Sequence, residues 1–288
     1  MFELVINSII QGVLMGGFYA AISLGLSISF GMLDIANLAH PVFIILGAFA
    51  VYSLNAKLGL DPILAGALLS APFFFLGVFV YQSYYHSLER RSAESLRGLV
   101  FFFGLFAIIE VGLSITYGAD YRSVRAPWIS KSLSIGFIGI SWRLLIPFLV
   151  GVAMTLGFYL FFSRTFLGVV TKGVSQDSWA VRLMGANPTR IKSIAFGLSI
   201  ATTTLAGALL ICIGPVEPFL GRELLGRVFA VTVLAGMGSI GGTLLAAMIL
   251  AIAESLTATV GGSAWAVAVS FAIMLAVLAL KPSGIFGR

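Results

Sequence analysis

Residues 31–49 read GMLDIANLAHPVFIILGAF, a strongly apolar stretch that nevertheless holds Asp34, Asn37, His40 and Pro41 within eight positions. Proline lacks an amide donor and is tolerated in the first turn of a helix, so Pro41 predicts a break followed by a new helix start. Asp34, Asn37 and His40 are spaced i, i+3, i+6, which on a helix would place them on one broad face. Unwound backbone at membrane depth must be buried in protein or face water, because lipid cannot satisfy its amides and carbonyls. A polar break of this kind therefore lines a pathway or makes an interhelix contact, and both readings stay open here.

The surrounding composition makes the membrane reading compulsory. The 288 residues are 59% hydrophobic and only 10% charged, with a mean hydropathy of +1.08, whereas a soluble domain carries about 25% charged residues. Apolar runs long enough to cross about 30 Å of hydrocarbon as helices recur along the chain, at 5–30, 42–56, 62–85, 98–117, 142–162, 192–213, 241–260 and 263–280. The run 225–237 is too short to cross by itself. The expectation is an all-α polytopic membrane protein with eight to ten crossings, forming a single transmembrane domain over residues 1–288. The short alternating segments of a β-barrel are missing, and the first residues lack the basic start of a cleavable signal peptide.

The net charge of +6 does not imply nucleic acid, because the basic residues sit between apolar runs, where they orient a membrane protein. The 86–97 connection carries Arg90, Arg91 and Arg97, and the 163–192 connection carries Arg164, Lys172, Arg182, Arg190 and Lys192. These two, with Lys281 and Arg288, are assigned to the cytoplasmic side. The connection 118–141, with Arg122, Arg125 and Lys131, falls opposite, and the side of the N-terminus stays open. Cys212 is the sole cysteine, so it forms no intrachain disulfide.

Within 163–192, the stretch SQDSWAVRLMG reads as a short amphipathic helix. Ser175 or Asp177 can cap its start and Gly185 can end it, leaving Trp179, Leu183 and Met184 as an apolar side. Asn187-Pro188 then marks a turn before the next crossing. Such a helix either lies on lipid or docks a soluble partner.

The opening stretch has a late echo, AGMGSIGGTLLAAMILAIAESL at 235–256. Gly31-Met32 aligns with Gly236-Met237, and Asp34 falls opposite Ser239. Paired interruptions in two halves are the pattern of transporters built from repeats with broken helices. Pathway candidates are thus Asp34, Asn37, His40, Gly236 and Ser239, together with Glu110 and Glu254. A mid-span carboxylate should face the bundle interior, paired or protonated, and either a structural or a pathway role fits these two glutamates. No P-loop, nucleophile elbow or metal-ligand spacing is present, so neither catalysis nor a bound cofactor or metal is expected in this chain.

At this point the residues resemble a known family, the permeases of branched-chain amino acid ABC importers (the LivH/LivM type). Tyr19-Ala20, Gly25-Leu26, Phe30-Gly31, Asn37, Ala39-His40 and Gly47-Ala48 match its opening signature. TYGADYRSVRAP, the 175–209 stretch, VLAGMGSIGGTLLAAMILAIAESL and LKPSGIFGR match later segments in order. Departures are Pro41 where glycine is usual, the unexpected Asp34, GVVTKG in place of an Arg-rich run, and Glu110 where an amide is common.

The resemblance implies a multi-pass inner-membrane permease subunit paired with a second homologous permease. Two cytoplasmic ATP-binding subunits, which hold the ATP and Mg, and a periplasmic solute-binding protein would complete the importer. It also implies that Asp177, Ala180, Arg182, Leu183, Met184, Gly185 and Asn187 form the coupling region that contacts the ATPases. The rival reading is a stand-alone ion-coupled carrier or channel, in which Asp34, Glu110 or Glu254 would carry coupling protons.

Overall fold

The computed structural model describes residues 2–89, 95–135 and 138–287; Arg90, Arg91 and Arg288 lie outside the described residues. In chain order the elements are α1 (Phe2–Leu33), α2 (His40–Leu58), α3 (Pro62–Ser87), α4 (Ser95–Tyr117), the strands β1 (Ser132–Ile135) and β2 (Ile138–Ser141), and α5 (Trp142–Arg164). They continue with α6 (Phe166–Gln176), α7 (Ser178–Leu183), α8 (Pro188–Ile213), α9 (Gly221–Ala235), α10 (Ile240–Gly261) and α11 (Ser263–Leu280). Among the described residues eight helices are long and apolar enough to span a membrane, all but α6, α7 and α9. The chain is a multi-pass membrane protein. The antiparallel hairpin β1–β2, in register Ser132↔Ser141, is a small addition to the expected all-helical fold, in the 118–141 connection.

Close helix packing is set by small residues. A Cβ added at Gly12 or Gly16 would lie 2.7 Å from the Cα of Ile252 or Met248, so α1 and α10 touch backbone to backbone, as small residues allow between membrane helices. Hydroxyl pairs align them antiparallel: Ser8 with Thr259 at 2.6 Å and Ser27 with Thr243 at 2.9 Å. In the same way α8 runs antiparallel to α3. The Thr204 hydroxyl donates to the Gly66 carbonyl (2.9 Å), the hydroxyls of Ser70 and Thr204 meet at 3.0 Å, and Lys192 pairs with Glu89 at 2.6 Å. α1 and α8 are the most buried spans and α11 the most exposed.

These contacts place the connections. The Glu89–Lys192 pair brings the 86–97 and 163–192 connections to one face, as their basic residues suggested. The C-terminal segment joins that face, where Gly284 and Gly287 pack on Gly236. On the opposite face Asn55 donates to the carbonyls of Leu60 (2.8 Å) and Arg125 (3.0 Å), and the Trp128 indole donates to Asp61 (2.8 Å). The N-terminus belongs to this second face. Gly17 lies against Phe148 near the start of α5, and the α1 end at Gly31 lies against Gly238.

Candidate functional site

The first break occupies residues 34–39, which are not helical, so the i, i+3, i+6 face does not form. Asp34 takes a positive φ of 57°, uncommon outside glycine but tolerated by a short polar side chain, and it is exposed. Asn37 and His40 are fully buried. The Asn37 Oδ1 accepts from the Ala39 amide (3.1 Å), and its carbonyl accepts from the His40 amide (3.1 Å), which turns the chain into α2. Pro41 sits in the first turn of that helix, where the sequence placed it. His40 Nε2 lies 3.0 Å from the carbonyl of Ile22. Since Ile22 is about three turns before the end of α1, the break folds back into the bundle. The Asn37 Nδ2 and His40 Nδ1 atoms are buried without a partner.

The second break, 236–239, is shorter. Gly236 (φ 85°) ends α9 and Gly238 (φ 81°) turns the chain. The Ser239 hydroxyl then caps α10 by accepting from the Gly242 amide at 3.1 Å. Residues 31 and 238 touch through their backbones, so the structure brings the two aligned interruptions together. Beside them a partly open cavity of about 650 Å³ is lined by Gly31, Tyr159, Lys172, Gln176, Ser239 and Phe286, among others. Asp34, Asn37 and His40 do not line it.

Both mid-span glutamates are paired, and both partners come from α9, whose role the sequence reading missed. After α8 the chain pairs Val216 with Arg122 at the second face, then re-enters through a 3-10 turn at Pro218–Leu220. A Cβ at Gly221 would lie 3.4 Å from Phe106 and 3.6 Å from Ile45, so α9 begins inside the bundle and ends at the first face. Arg222 donates twice to Glu110, from Nε at 3.0 Å and from Nη2 at 2.5 Å. Arg227 lies 3.6 Å from Glu254, which also accepts from the Tyr19 hydroxyl (2.5 Å) and from Ser270. The signal available in the sequence was the cluster Arg222, Glu223, Arg227 at the edge of an apolar run.

The 163–192 connection holds two helices rather than one, because α6 precedes the expected short helix. Asp177 caps α7 by accepting from the amides of Trp179 (2.8 Å) and Ala180 (3.0 Å). Gly185 ends it at φ 84°, and Asn187 caps α8 by accepting from the Arg190 amide (3.3 Å). Trp179, Leu183 and Met184 are 72%, 82% and 83% exposed. The Arg182 guanidinium lies over the Trp179 ring. Ala180 is half-buried, and Asp177, Arg182, Gly185 and Asn187 are exposed.

Comparison with known proteins gives a consistent picture. A family model described as the permease component of branched-chain amino acid transport systems matches residues 8–278. The chain is 26% identical to the high-affinity branched-chain amino acid transport system permease protein BraD of Pseudomonas aeruginosa, over 98% of this chain and 96% of that relative. It is 28% identical to the corresponding LivH of Escherichia coli, over the same shares. It is also 28% identical to LivM of Salmonella typhimurium, over 83% of this chain and 61% of that protein. No solved structure matches the chain.

Proposed function

The chain belongs to the permease-component family of branched-chain amino acid transport systems, and on that premise we propose that it is the transmembrane subunit of a binding-protein-dependent ABC importer. It takes up branched-chain amino acids or related small polar solutes such as amides, urea or organic acids. The observation that carries this reading is the family match over residues 8–278. The likeness to both LivH and LivM permeases supports pairing with a second homologous permease. ATP and Mg belong to two cytoplasmic partner subunits, and a periplasmic binding protein delivers the solute to the face of the 118–141 connection. Lipid covers the exposed apolar surfaces of the spans in the inner membrane.

The coupling element in this reading is α7. Three large apolar side chains exposed on and just after one short helix need a cover. Asp177 joins the end of α6 to the start of α7, and Asn187 caps α8 directly after α7, so a push on α7 moves both. The cavity at the two breaks is lined by Lys172, Ser175 and Gln176 of α6, which connects that push to the pathway. Alternating access then opens the bundle to one face at a time around the breaks.

Two measurements test the reading. Leu183→Asp with Met184→Asp should lower co-purification of the ATPases about tenfold or more, since an anchor pair carries most of such an interface. Gly185→Val, which forces a branched residue into a positive φ, should weaken assembly and transport as well. Unchanged assembly and transport in these variants would remove α7 from the coupling role. In proteoliposomes, uptake should require ATP, the ATPases and the binding protein. Uptake by this chain in ATP-free liposomes would instead establish the stand-alone carrier.

A further inference from the structure

Arg222 is in the wrong place for a residue that faces lipid. Its partner Glu110 lies seven residues before the end of α4, about 10 Å along the helix axis at 1.5 Å per residue. α9 starts at the same depth, against Phe106 and Ile45. Yet the Arg222 side chain is 68% exposed, while Glu110 is 4% exposed. A charged side chain at such depth faces a water-filled cavity or another protein group. The α4 surface that suits lipid is a different one: Ile108, Val111 and Ile115 are exposed there, and Glu110 is buried.

The guanidinium is also held in a fixed pose. Nε and Nη2 donate to the two oxygens of Glu110, and the ring of Phe219 lies 5.5 Å from Cζ. A guanidinium has five N–H donors, so three stay free in a planar fork that suits a carboxylate. Glu110 neutralises the site, which keeps capture of an anion weak enough for release, as a conduction pathway needs. The neighbouring Glu223 is exposed as well, so one turn of α9 presents both signs of charge, as a zwitterion does.

We propose that Arg222 lies on the permeation surface and receives the α-carboxylate of the passing amino acid, with Glu110 and Phe219 as positioning residues. This rests on the reading of the chain as an amino acid permease.

The importer reconstituted in proteoliposomes provides the test, and ATP-dependent uptake by the wild type checks the underlying reading separately. Arg222→Gln should lower uptake about tenfold, as expected when a charged hydrogen-bond donor to a carboxylate is lost. Arg222→Lys should keep part of it, and ATPase co-purification should be unchanged in both. Because Arg222→Gln leaves a buried carboxylate unpaired, Glu110→Gln/Arg222→Gln serves as the second variant and should show the same loss. Cys212 is the sole cysteine and is buried, so Arg222→Cys in a Cys212→Ser background reports accessibility cleanly. That thiol should react with a charged, membrane-impermeant thiosulfonate, more slowly when the substrate-loaded binding protein is present. An Ile108→Cys thiol, on the exposed apolar side of α4 at comparable depth, should resist the same reagent. Labelling of Arg222→Cys by lipid-soluble maleimide alone, or uptake by the double variant within about twofold of wild type, would overturn the assignment.

Discussion

Two ion pairs leave the same short helix and differ in almost everything but charge. Arg222–Glu110 is bidentate, and its guanidinium is open to the surroundings. Arg227–Glu254 is looser at 3.6 Å, but its carboxylate is enclosed and further donors come from Tyr19 of α1 and Ser270 of α11. Taking charges out of water costs more than their mutual attraction returns unless extra hydrogen bonds complete the site. The Glu254 pair is completed in this way by three helices and works as a lock between α1, α9, α10 and α11. The Glu110 pair has fewer partners and an open side. Its geometry suits a residue that meets something passing by.

The sharpest way to break this contrast is to remove Glu254. Glu254→Leu strands the half-buried Arg227 and deprives Tyr19 and Ser270 of their acceptor. It should cost about 3–5 kcal/mol, the range for breaking a buried pair from one side. Thermal unfolding in detergent would record this as a large fall in midpoint. Adding Arg227→Met should recover a substantial part, because the stranded charge goes with it. Should the double variant melt no higher than Glu254→Leu alone, the cost would lie in lost packing and the lock would be misassigned. Tyr19→Phe comes next in size. It removes one donor to a charged acceptor, about 1.5 kcal/mol, while keeping the ring against Phe18. Ser270→Ala should cost less, about 0.6 kcal/mol, the average for hydrogen bonds between membrane helices; a loss as large as that of Glu254→Leu would make α11 the main support of the site.

The pairs also mark where sequence reading stopped. The spans were legible because hydropathy is local and the charge deficit is extreme. Pro41, Asp177, Gly185 and Asn187 were legible because capping and turn chemistry act within a few residues. The alignment of Gly31 with Gly236 pointed to two breaks that touch in the fold. The break before Pro41 was legible, but its extent over 34–39 was not, because i, i+3, i+6 spacing describes a helix and nothing local announced the positive φ at Asp34. α9 was hidden for another reason. Arg222, Glu223 and Arg227 shorten its apolar run, and the partners that neutralise the two arginines lie on α4 and α10. Pairing at that separation is a property of topology, and periodicity carries no trace of it.

The smallest stability effect should come from Arg222. In Arg222→Met the carboxylate of Glu110 loses its cover, but the removed side chain stood on an open surface, so the space it leaves admits water if the surface lines an aqueous pathway. Glu110 would then be hydrated in place of its lost partner, and the melting midpoint of the assembled importer should stay close to wild type while uptake falls. If that surface faced lipid, Glu110 would have no water to turn to, and the variant should melt as badly as Glu254→Leu. A thermal scan of these two variants side by side therefore separates an open pair from an enclosed one without any assumption about the solute. Near-equal losses would mean that both pairs are locks and that α9 contributes structure alone.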